Sequence, residues 1–327
     1  MGDLPFRKAA ELLKGSARSL IFTHLRPDGD ALGAAFGLQA VLRGQGRQAE
    51  VFLPAPMPAR HSKLFSGQLE TVSREELEGF DTFIALDCAN PPRLGKPEFL
   101  PMEELRGKRF INIDHHEANS LQSGLFDLVS PESASCCELL VEILLAGGME
   151  ISREAATFLL AGMMTDTGCF RFANTDTETL RCAGVLLGRG AELERIVNAL
   201  FFSKPLKQVR FENELMNTYL KLTAGNRIAS AFIPKALLEK YDFDLREDEG
   251  LIDLLREIDG VVFAVLFHRG ADGVKVSLRS KDRAFPVGPL ARSLGGGGHD
   301  MAAGATLDLP DAEAEKLILE KLRALLD

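Results

Sequence analysis

The first half of the chain alternates short apolar runs with longer amphipathic segments, and this alternation restricts the fold more than any other feature. Short apolar runs predict buried strands, and apolar residues at helical spacing predict helices. Strand followed by helix, repeated, predicts an α/β fold with a parallel sheet and helices on both faces. The predicted strands are 19–23, 49–53, 81–87, 109–114 and 125–129, and the predicted helices are 31–43, 134–146, 153–164 and 176–187.

The pattern changes in the second half, which predicts a smaller α/β domain. A mostly helical stretch over 189–221 predicts a connector between a first domain, 1–188, and a second domain, 222–327. We expect the functional cleft to lie between the two domains. In the second domain the predicted strands are 227–233, 261–268 and 274–279, and the predicted helices are 234–241, 250–258, 286–294 and 310–326.

Composition and charge exclude several classes of protein. With 327 residues, 46% of them hydrophobic, the chain is long enough for two globular domains. No run approaches the ~20 apolar residues of a membrane helix, and the start of the chain lacks a secretory pattern. Five cysteines without a CxxC pair predict reduced thiols and a cytoplasmic protein. A net charge of -9 argues against binding long duplex nucleic acid, but not against a small phosphorylated substrate held through divalent cations.

Three predicted strands end in polar residues that suit metal or phosphate chemistry. His24, Asp87 and Asp114 each stand at or just after such an end. Ligands of parallel α/β sheets bind at the carboxyl ends of strands, so we expect these three positions to converge in one crevice. Taken alone, Asp87 is better explained as the start of an ordinary turn. Arg93, close behind it, is either within reach of a phosphate or a surface loop residue.

The loop after His24 supplies two carboxylates, Asp28 and Asp30, around a glycine that allows a tight turn. Carboxylates two residues apart can point to different metal ions, and imidazole with carboxylate suits Mn, Fe or Zn. The alternative is local: Asp30, directly before an alanine-rich helix, would be a good helix N-cap.

Two consecutive histidines, His115 and His116, follow Asp114. Adjacent rings point in different directions, so one can ligate a metal while the other faces a substrate. Asp114 can accept the hydrogen bond that fixes an imidazole tautomer. Farther along, Asp166 follows an apolar helix, where a charge needs a partner. The alternative for this segment is a helix end capped by Gly168.

Apart from Asp114, these positions give four carboxylates and two to three imidazoles near one sheet edge. That inventory suits two divalent cations about 3.5–4 Å apart, which can clamp the attacking and leaving oxygens of a phosphoryl group. Oxygen ligands favour Mn or Mg over structural zinc. In the second domain a glycine run ends at His299, with Arg279 on a neighbouring strand. Glycine backbones can approach a phosphate closely, and the alternative is a plain turn before a helix.

These motifs, in this order, resemble the DHH phosphoesterase superfamily over nearly the whole chain. Within it the chain is similar to the stand-alone nanoRNase and pAp-phosphatase group, which has two domains and this length. The motifs that carry the resemblance are His24-x-x-x-Asp28-x-Asp30, Asp87, Asp114-His115-His116, Thr165-Asp166-Thr167-Gly168, and Gly296-Gly297-Gly298-His299 with Ala302-Ala303-Gly304.

The resemblance implies a role for each position. His24, Asp28 and Asp87 would hold one Mn²⁺, and Asp87 would bridge to a second held also by Asp30, His115 and Asp166. His116 would face the scissile phosphate, with Asp114 supporting it. The residues implied to bind the substrate phosphate are Arg93, Arg279, Gly296, Gly297, Gly298 and His299.

The resemblance also implies a reaction, in which a hydroxide between two Mn²⁺ ions, or Mg²⁺ in their place, attacks phosphorus in line. The expected substrates are short oligoribonucleotides, cleaved to nucleoside 5′-monophosphates, and 3′-phosphoadenosine 5′-phosphate (pAp), cleaved to AMP. A linear or cyclic dinucleotide phosphodiesterase is the alternative, and a non-catalytic nucleotide sensor ranks lower because every expected ligand is present. We expect no membrane partner, and a homodimer stays open.

Overall fold

The computed structural model of the chain describes residues 3–53, 57, 60–94, 105, 108–117, 119–121, 125–245 and 250–326. The chain forms two compact units, Met1–Ser203 and Lys204–Asp327. The boundary between them falls inside the predicted connector 189–221. The connector and the domain limits 1–188 and 222–327 therefore stay predictions.

The first unit contains a five-stranded sheet in the order β2-β1-β3-β4-β5, and every neighbouring pair is parallel. The predicted parallel α/β architecture is therefore confirmed. The strands are β1 (Arg18–Phe22), β2 (Gln48–Phe52), β3 (Thr82–Leu86), β4 (Arg109–Asp114) and β5 (Phe126–Val129). The helices are α1 (Asp3–Lys14), α2 (Gly29–Gly44), α3 (Arg74–Glu78), α4 (Cys136–Ala146), α5 (Arg153–Asp166), α6 (Thr177–Gly188) and α7 (Leu193–Ile196), which continues as a π-helical turn over Val197–Phe201.

Alternate residues of β1, β3 and β4 are buried on opposite faces of this sheet. Ile21 and Ile84 belong to a large core that also includes side chains of α1, α2, α4 and α5. Phe22 and Phe83 belong to a second core on the other face, with Leu77 of α3. Fully burying such a side chain contributes roughly 1.5–3 kcal/mol, so the register of each strand is strongly specified.

Close contact between α2 and α5 places the start of one helix beside the end of the other. A Cβ on Gly33 would lie 2.6 Å from the backbone oxygen of Phe158, and one on Gly29 would lie 2.4 Å from Thr165 Cγ2. Only glycine allows an approach this close. The first turn of α2 is thereby brought next to Asp166, the last residue of α5.

The second unit contains a six-stranded sheet in the order β10-β11-β9-β8-β7-β6, in which only β7 and β8 are parallel. A smaller second α/β domain is therefore confirmed. The strands are β6 (Leu220–Thr223), β7 (Ile228–Ile233), β8 (Phe263–Gly270), β9 (Gly273–Ser280), β10 (Gly297–His299) and β11 (Ala302–Leu307). The helices are α8 (Leu206–Thr218), α9 (Lys235–Tyr241), α10 (Leu251–Arg256), α11 (Gly288–Ser293) and α12 (Asp311–Leu326).

The glycine run does not form a turn before a helix, so that alternative is wrong. It follows α11 and enters β10, an edge strand that pairs antiparallel with β11. A Cβ on Gly296 would lie 2.1 Å from the backbone oxygen of Gly304, so glycine is required there for the two segments to approach. Across the described part of the chain, the helices are all too short or too polar to cross a membrane.

Candidate active site

The candidate site lies where the strand order of the first sheet reverses. The chain passes from β1 to β2 on one side and then to β3 on the other side of β1. Such a switch point leaves a crevice at the carboxyl ends of the strands. His24 follows β1, Asp87 follows β3 and Asp114 ends the adjacent β4. The structure therefore brings the three strand-end positions to one edge, as the sequence predicted.

Asp87 occupies the centre of this edge in a strained backbone conformation. Its φ is +54°, in the left-handed region, and its backbone N–H donates to Ile113 O at 3.1 Å. The side chain is 1% exposed. Its Oδ2 lies 3.8 Å from His24 Nε2 and its Oδ1 lies 3.5 Å from His115 Nε2. Strain of this kind costs about 1–3 kcal/mol and concentrates at functional sites.

Asp28, rather than Asp30, is the N-cap of α2, so the alternative that placed Asp30 there is wrong. The helix begins at Gly29, two residues earlier than predicted, and Asp28 Oδ1 accepts from the N–H groups of Asp30 and Ala31, each at 3.1 Å. The other oxygen, Oδ2, lies 3.8 Å from His24 Nε2. Asp28 therefore combines a capping contact with a contact inside the cluster.

Asp30 is buried and reaches across to a different helix. Its Oδ2 accepts from the backbone N–H of Cys136 at 2.7 Å and its Oδ1 from that of Cys137 at 3.0 Å, in the first turn of α4. Oδ2 also lies 3.9 Å from His115 Nε2. Burial, together with the charge of Asp87, raises the pKa of Asp30 to about 7. No sequence pattern links Asp30 to residues more than a hundred positions away.

His115 points one ring nitrogen at three carboxylates. Its Nδ1 lies 3.3 Å from Ser133 O, and because a carbonyl oxygen only accepts, Nδ1 carries a proton. Nε2 is then the atom that lies 3.5 Å from Asp166 Oδ2. Burial opposes a charge on His115, but the contact with Asp87 and the charges of Asp166 and Asp30 hold its pKa well above the ordinary value.

Asp166 ends α5, and Gly168 follows it with a φ of +56°. The helix end that the sequence offered as an alternative is therefore present together with the contact to His115. Asn174 Nδ2 donates to the backbone oxygen of Asp166 at 3.2 Å. Burial raises the pKa of the Asp166 carboxyl well above its ordinary value, although His115 opposes the shift.

His116 is held by Asp114 and tilts away from His115. The two ring centroids are 4.9 Å apart with a 59° angle between planes. His116 Nδ1 lies 2.7 Å from Asp114 Oδ1. Burial would raise the pKa of Asp114, but the hydrogen bond with His116 keeps it low, so Asp114 accepts and Nδ1 donates. The support predicted for Asp114 is therefore visible as a contact.

The donor set of the cluster fits divalent cations. Three groups of side chains have ligand atoms within 4.8 Å of one another, and Asp87 belongs to two of them. Among the described residues, His24 Nε2 and Asp87 Oδ1 are buried without a hydrogen-bond partner. An unsatisfied buried polar atom costs about 1–3 kcal/mol, which a cation between them would offset. The three groups are His24 with Asp28 and Asp87, Asp87 with His115 and His116, and Asp30 with His115 and Asp166.

Arg93 is the predicted phosphate-binding residue of the first unit. Its backbone oxygen accepts from the N–H of Leu25 at 2.7 Å, which joins the loops after β1 and β3. Its own N–H donates to Asn90 Oδ1 at 3.2 Å. Burial raises the pKa of the nearby Cys88 thiol to about 12, and the charge of Arg93 opposes that shift. Arg93 therefore lies beside the strand end that carries Asp87.

In the second unit, Arg279 and His299 lie in one row across the sheet. Arg279 of β9 pairs with Ala302 of β11, which pairs with His299 of β10. Residues directly opposite in a ladder point to the same face, and two strand spacings are about 10 Å. Arg279 and His299 therefore share a sheet face, and Gly297 occupies the same face two residues before His299. Gly298, by contrast, alternates to the other face, and Gly296 precedes β10.

Two protein-family models match the chain, one within each of the two units. Residues 18–163 match the DHH family, N-terminal domain, and residues 228–327 match the DHHA1 domain. The bifunctional oligoribonuclease and PAP phosphatase NrnA of Thermus thermophilus is 35% identical over 97% of this chain and 93% of its own length. The chain belongs to the DHH family. The NrnA protein of Bacillus subtilis is 31% identical to this DHH protein over 92% of each chain.

Solved structures agree with this assignment. An exopolyphosphatase-related protein from Bacteroides fragilis covers 99% of the DHH protein and 98% of its own chain, with a TM-score of 0.88 and 25% identity. RecJ of Thermus thermophilus in complex with Mn²⁺ has a TM-score of 0.54 and 16% identity over 98% of this chain and 54% of RecJ, a likeness in fold alone. The predicted family is confirmed, and the DHH protein is a hydrolase of the phosphoesterase type.

Proposed function

We propose that this DHH protein hydrolyses short oligoribonucleotides to nucleoside 5′-monophosphates and pAp to AMP, with two divalent ions, Mn²⁺ in the first place. The observation that carries the proposal is Asp87, a buried carboxylate whose two oxygens contact two different histidines, His24 and His115. A carboxylate that bridges two metal ions with its two oxygens must present one oxygen to the ligands of each ion. The names of the two NrnA relatives supply the substrate classes.

The surrounding residues divide between two ion positions. His24, Asp28 and Asp87 would hold one ion. Asp30, His115 and Asp166 would hold the other together with Asp87. When bound, such ions lower the pKa of a water and neutralise the non-bridging phosphate oxygens. Four carboxylates in a small volume give the negative charge that two divalent ions need.

His116 would serve the leaving group. Asp114 holds its Nδ1–H, so a protonated His116 ring carries its second proton on Nε2, gives that proton to the departing ribose oxygen, and is left neutral with Nδ1–H still on Asp114. Arg93 would bind a phosphate beside the cluster. Arg279, His299 and the backbone of Gly296, Gly297 and Gly298 would bind the other phosphate of the substrate.

The charge of the protein favours small substrates over long ones. A chain with a net charge of -9 has no excess of positive charge to follow an extended phosphate backbone. A substrate with one or two phosphates beside a ribose can be held by a few arginines and the bound ions. We therefore expect activity to fall as oligonucleotide length increases.

One assay tests the proposal. The purified protein with Mn²⁺ is given pAp, a diribonucleotide, a five-mer, a twenty-mer and pyrophosphate, and the products are separated by chromatography. We expect AMP from pAp and 5′-monophosphates from the two short RNAs. Turnover of pyrophosphate alone would refute the assignment, and faster processing of the twenty-mer than of the dinucleotide would refute the preference for short substrates.

A further inference from the structure

Asn119 contacts the cluster, and the proposed chemistry does not use it. Its Nδ2 donates to Asp114 Oδ2 and to the backbone oxygen of Cys88, the latter at 3.3 Å. Its Oδ1 accepts from the N–H of Leu121 at 2.8 Å and from Asn112 Nδ2 at 3.4 Å. Two acceptors surround Nδ2 and two donors surround Oδ1, so the amide has a single orientation.

The sheet itself fixes this orientation. Asn112 lies inside β4 and is fully buried. Its Nδ2 also donates to Leu121 O at 3.0 Å, so one buried strand residue holds both Asn119 and the segment that follows it. Both of these hydrogen bonds come from Asn112 Nδ2, whereas Asn112 Oδ1 is buried without a hydrogen-bond partner among the described residues. Asn119 therefore presents its amide N–H to Asp114 from a segment that Asn112 ties to β4.

Asp114 needs that support because one of its oxygens carries the contacts to the histidines. Oδ1 accepts from His116 Nδ1 at 2.7 Å and from the N–H of His115 at 2.8 Å. Oδ2 accepts from Asn119. A carboxylate held at both oxygens cannot rotate about its Cβ–Cγ bond, whereas one held only at Oδ1 can.

A second carboxylate competes for the same imidazole. His116 Nδ1 lies 3.4 Å from Asp87 Oδ1, compared with 2.7 Å from Asp114 Oδ1. A small rotation of Asp114 would favour the Asp87 contact. His116 would then turn, and its Nε2 would leave the position in which it serves the leaving group. Asp87 Oδ1 would at the same time accept a hydrogen bond from the His116 ring and would no longer be available as a metal ligand.

We propose that Asn119 is a positioning residue for the reaction: by locking the Asp114 carboxylate it keeps His116 on Asp114 and off Asp87. The inference rests on the proposed function, because it assigns His116 the protonation of the leaving oxygen. It adds a residue about which the DHH motifs described above say nothing. Asn119 acts through Asp114 and does not itself touch the substrate.

The test compares two esters that differ in their need for a proton. A diribonucleotide releases a ribose oxygen, which needs protonation, and a nucleoside 5′-(4-nitrophenyl phosphate) releases nitrophenolate, which does not. At saturating Mn²⁺, we expect Asn119→Ala to lower kcat on the dinucleotide about 10–100-fold, the usual cost of removing an outer partner of such a site. On the nitrophenyl ester we expect less than about a threefold loss, with KM unchanged on both, since only the proton-dependent step is affected.

A double-mutant cycle separates positioning from general damage. If Asn119 acts through His116, then Asn119→Ala added to His116→Ala causes no further loss on the dinucleotide. Additive losses, or equal losses on the two esters, would overturn the inference. Asn119→Asp keeps the size of the side chain and removes the amide donor, so it should lose at least as much as Asn119→Ala. Asn198→Ala, which changes an exposed asparagine of the same unit, is the matched control and should behave as wild type.

A readout independent of activity keeps the inference separate from the proposed function. In metal-free protein at a pH where the ring is neutral, ¹H–¹⁵N NMR should show the His116 Nδ1–H proton far downfield in wild type, as expected for the short 2.7 Å contact with Asp114, and shifted upfield in Asn119→Ala, where the ring turns toward Asp87. An unchanged Nδ1–H signal in the variant would refute the positioning role. If wild type cleaves neither ester, the proposed function fails, and the NMR comparison still decides what Asn119 does.

Discussion

The polar residues of the first unit are held far more tightly than those of the second. Asp30, Asp87 and Asp114 are at most 1% exposed, and Asp30 and Asp114 each accept hydrogen bonds at both oxygens. In the second unit, His299 lies exposed on an edge strand, and Arg279 is only partly buried. Buried carboxylates fixed in this way suit ions that must be placed to a fraction of an ångström. A more open sheet face suits the parts of a substrate that vary in length.

The largest expected effect comes from neutralising the carboxylate shared by the two halves of the cluster. Asparagine tolerates the left-handed backbone of Asp87, whereas alanine there would add about 1–2 kcal/mol of strain. Because bound ions supply several kcal/mol of transition-state stabilisation, we expect Asp87→Asn to lower kcat/KM for pAp by ~10³-fold or more. Steady-state kinetics with Mn²⁺ measures the loss.

The same variant should be no less stable without metal. Burial, and after it like-charge repulsion from Asp87, raise the pKa of Asp30, so removing the charge of Asp87 relieves part of the free-energy cost of holding these carboxylates together. We expect the metal-free melting temperature of Asp87→Asn to equal or exceed that of wild type, while stabilisation by Mn²⁺ is lost. Wild-type kinetics, or a melting temperature well below wild type, would contradict this account of the first unit.

The next effect is the dependence of metal binding on pH, which should be confined to the first unit. Burial and Asp87 raise the pKa of Asp30 to about 7, and burial raises that of Asp166 as well. A cation must displace these protons, so the apparent Mn²⁺ affinity should fall as pH drops below 7, roughly tenfold per unit for each proton displaced. Manganese EPR titrations at about pH 6 and about pH 8 measure the affinity.

The stability of the metal-free protein should change in the opposite direction. A carboxyl whose pKa is raised by folding stabilises the protein while it is protonated, and that contribution is lost as pH rises from the ordinary aspartate range toward 7. Chemical denaturation without metal over this range gives the stability curve. Equal Mn²⁺ affinity at the two pH values would show that Asp30 and Asp166 do not take part in binding the ion.

The polar positions of the first unit could be predicted because each stands next to an apolar segment in the sequence itself. A charged residue at the end of an apolar strand, such as Asp87, is unfavourable to bury, and its presence there therefore indicates a functional role. The contacts that hold these residues could not be predicted in the same way. Asp30 meets Cys136 and Asn119 meets Asp114 only after the chain has folded, and neither contact has a periodicity or spacing that marks it.

In the second unit, β10 and β11 are not among the predicted strands, for a related reason. Residues 297–299 and 302–307 contain mostly glycine and alanine, which have low strand propensity and little apolar surface. They form strands because β9 offers a partner edge to β11, and β11 in turn to β10. The sequence predicts that these glycines bind a phosphate through their backbone. The close approach of Gly296 to Gly304 is a second, structural reason why residue 296 is a glycine.

A smaller effect is expected from Arg279, which tests recognition in the second unit. Arg279→Lys keeps the positive charge and removes the planar fork that matches a phosphate. Losing one charge-assisted hydrogen bond of about 1.5 kcal/mol should raise KM for pAp about tenfold. The Mn²⁺ affinity should stay at the wild-type value, because the proposed ion ligands all lie in the first unit. An unchanged KM, or a change in Mn²⁺ affinity, would contradict the proposal that the first unit binds the ions and the second unit binds a substrate phosphate.

The smallest effect distinguishes two neighbouring glycines in the second unit. A Cβ at Gly296 would meet the backbone of Gly304 and Ala305, whereas one at Gly297 would have nothing within 4 Å. Overpacking of this kind costs about 1–3 kcal/mol, so Gly296→Ala should lower the denaturant midpoint and Gly297→Ala should not. Both tyrosines, Tyr219 and Tyr241, lie in the second unit and the chain has no tryptophan, so tyrosine fluorescence follows that unit alone. Equal midpoints for the two variants would show that β10 separates from β11 at little cost, and Gly296 would then be left with its proposed place at the phosphate.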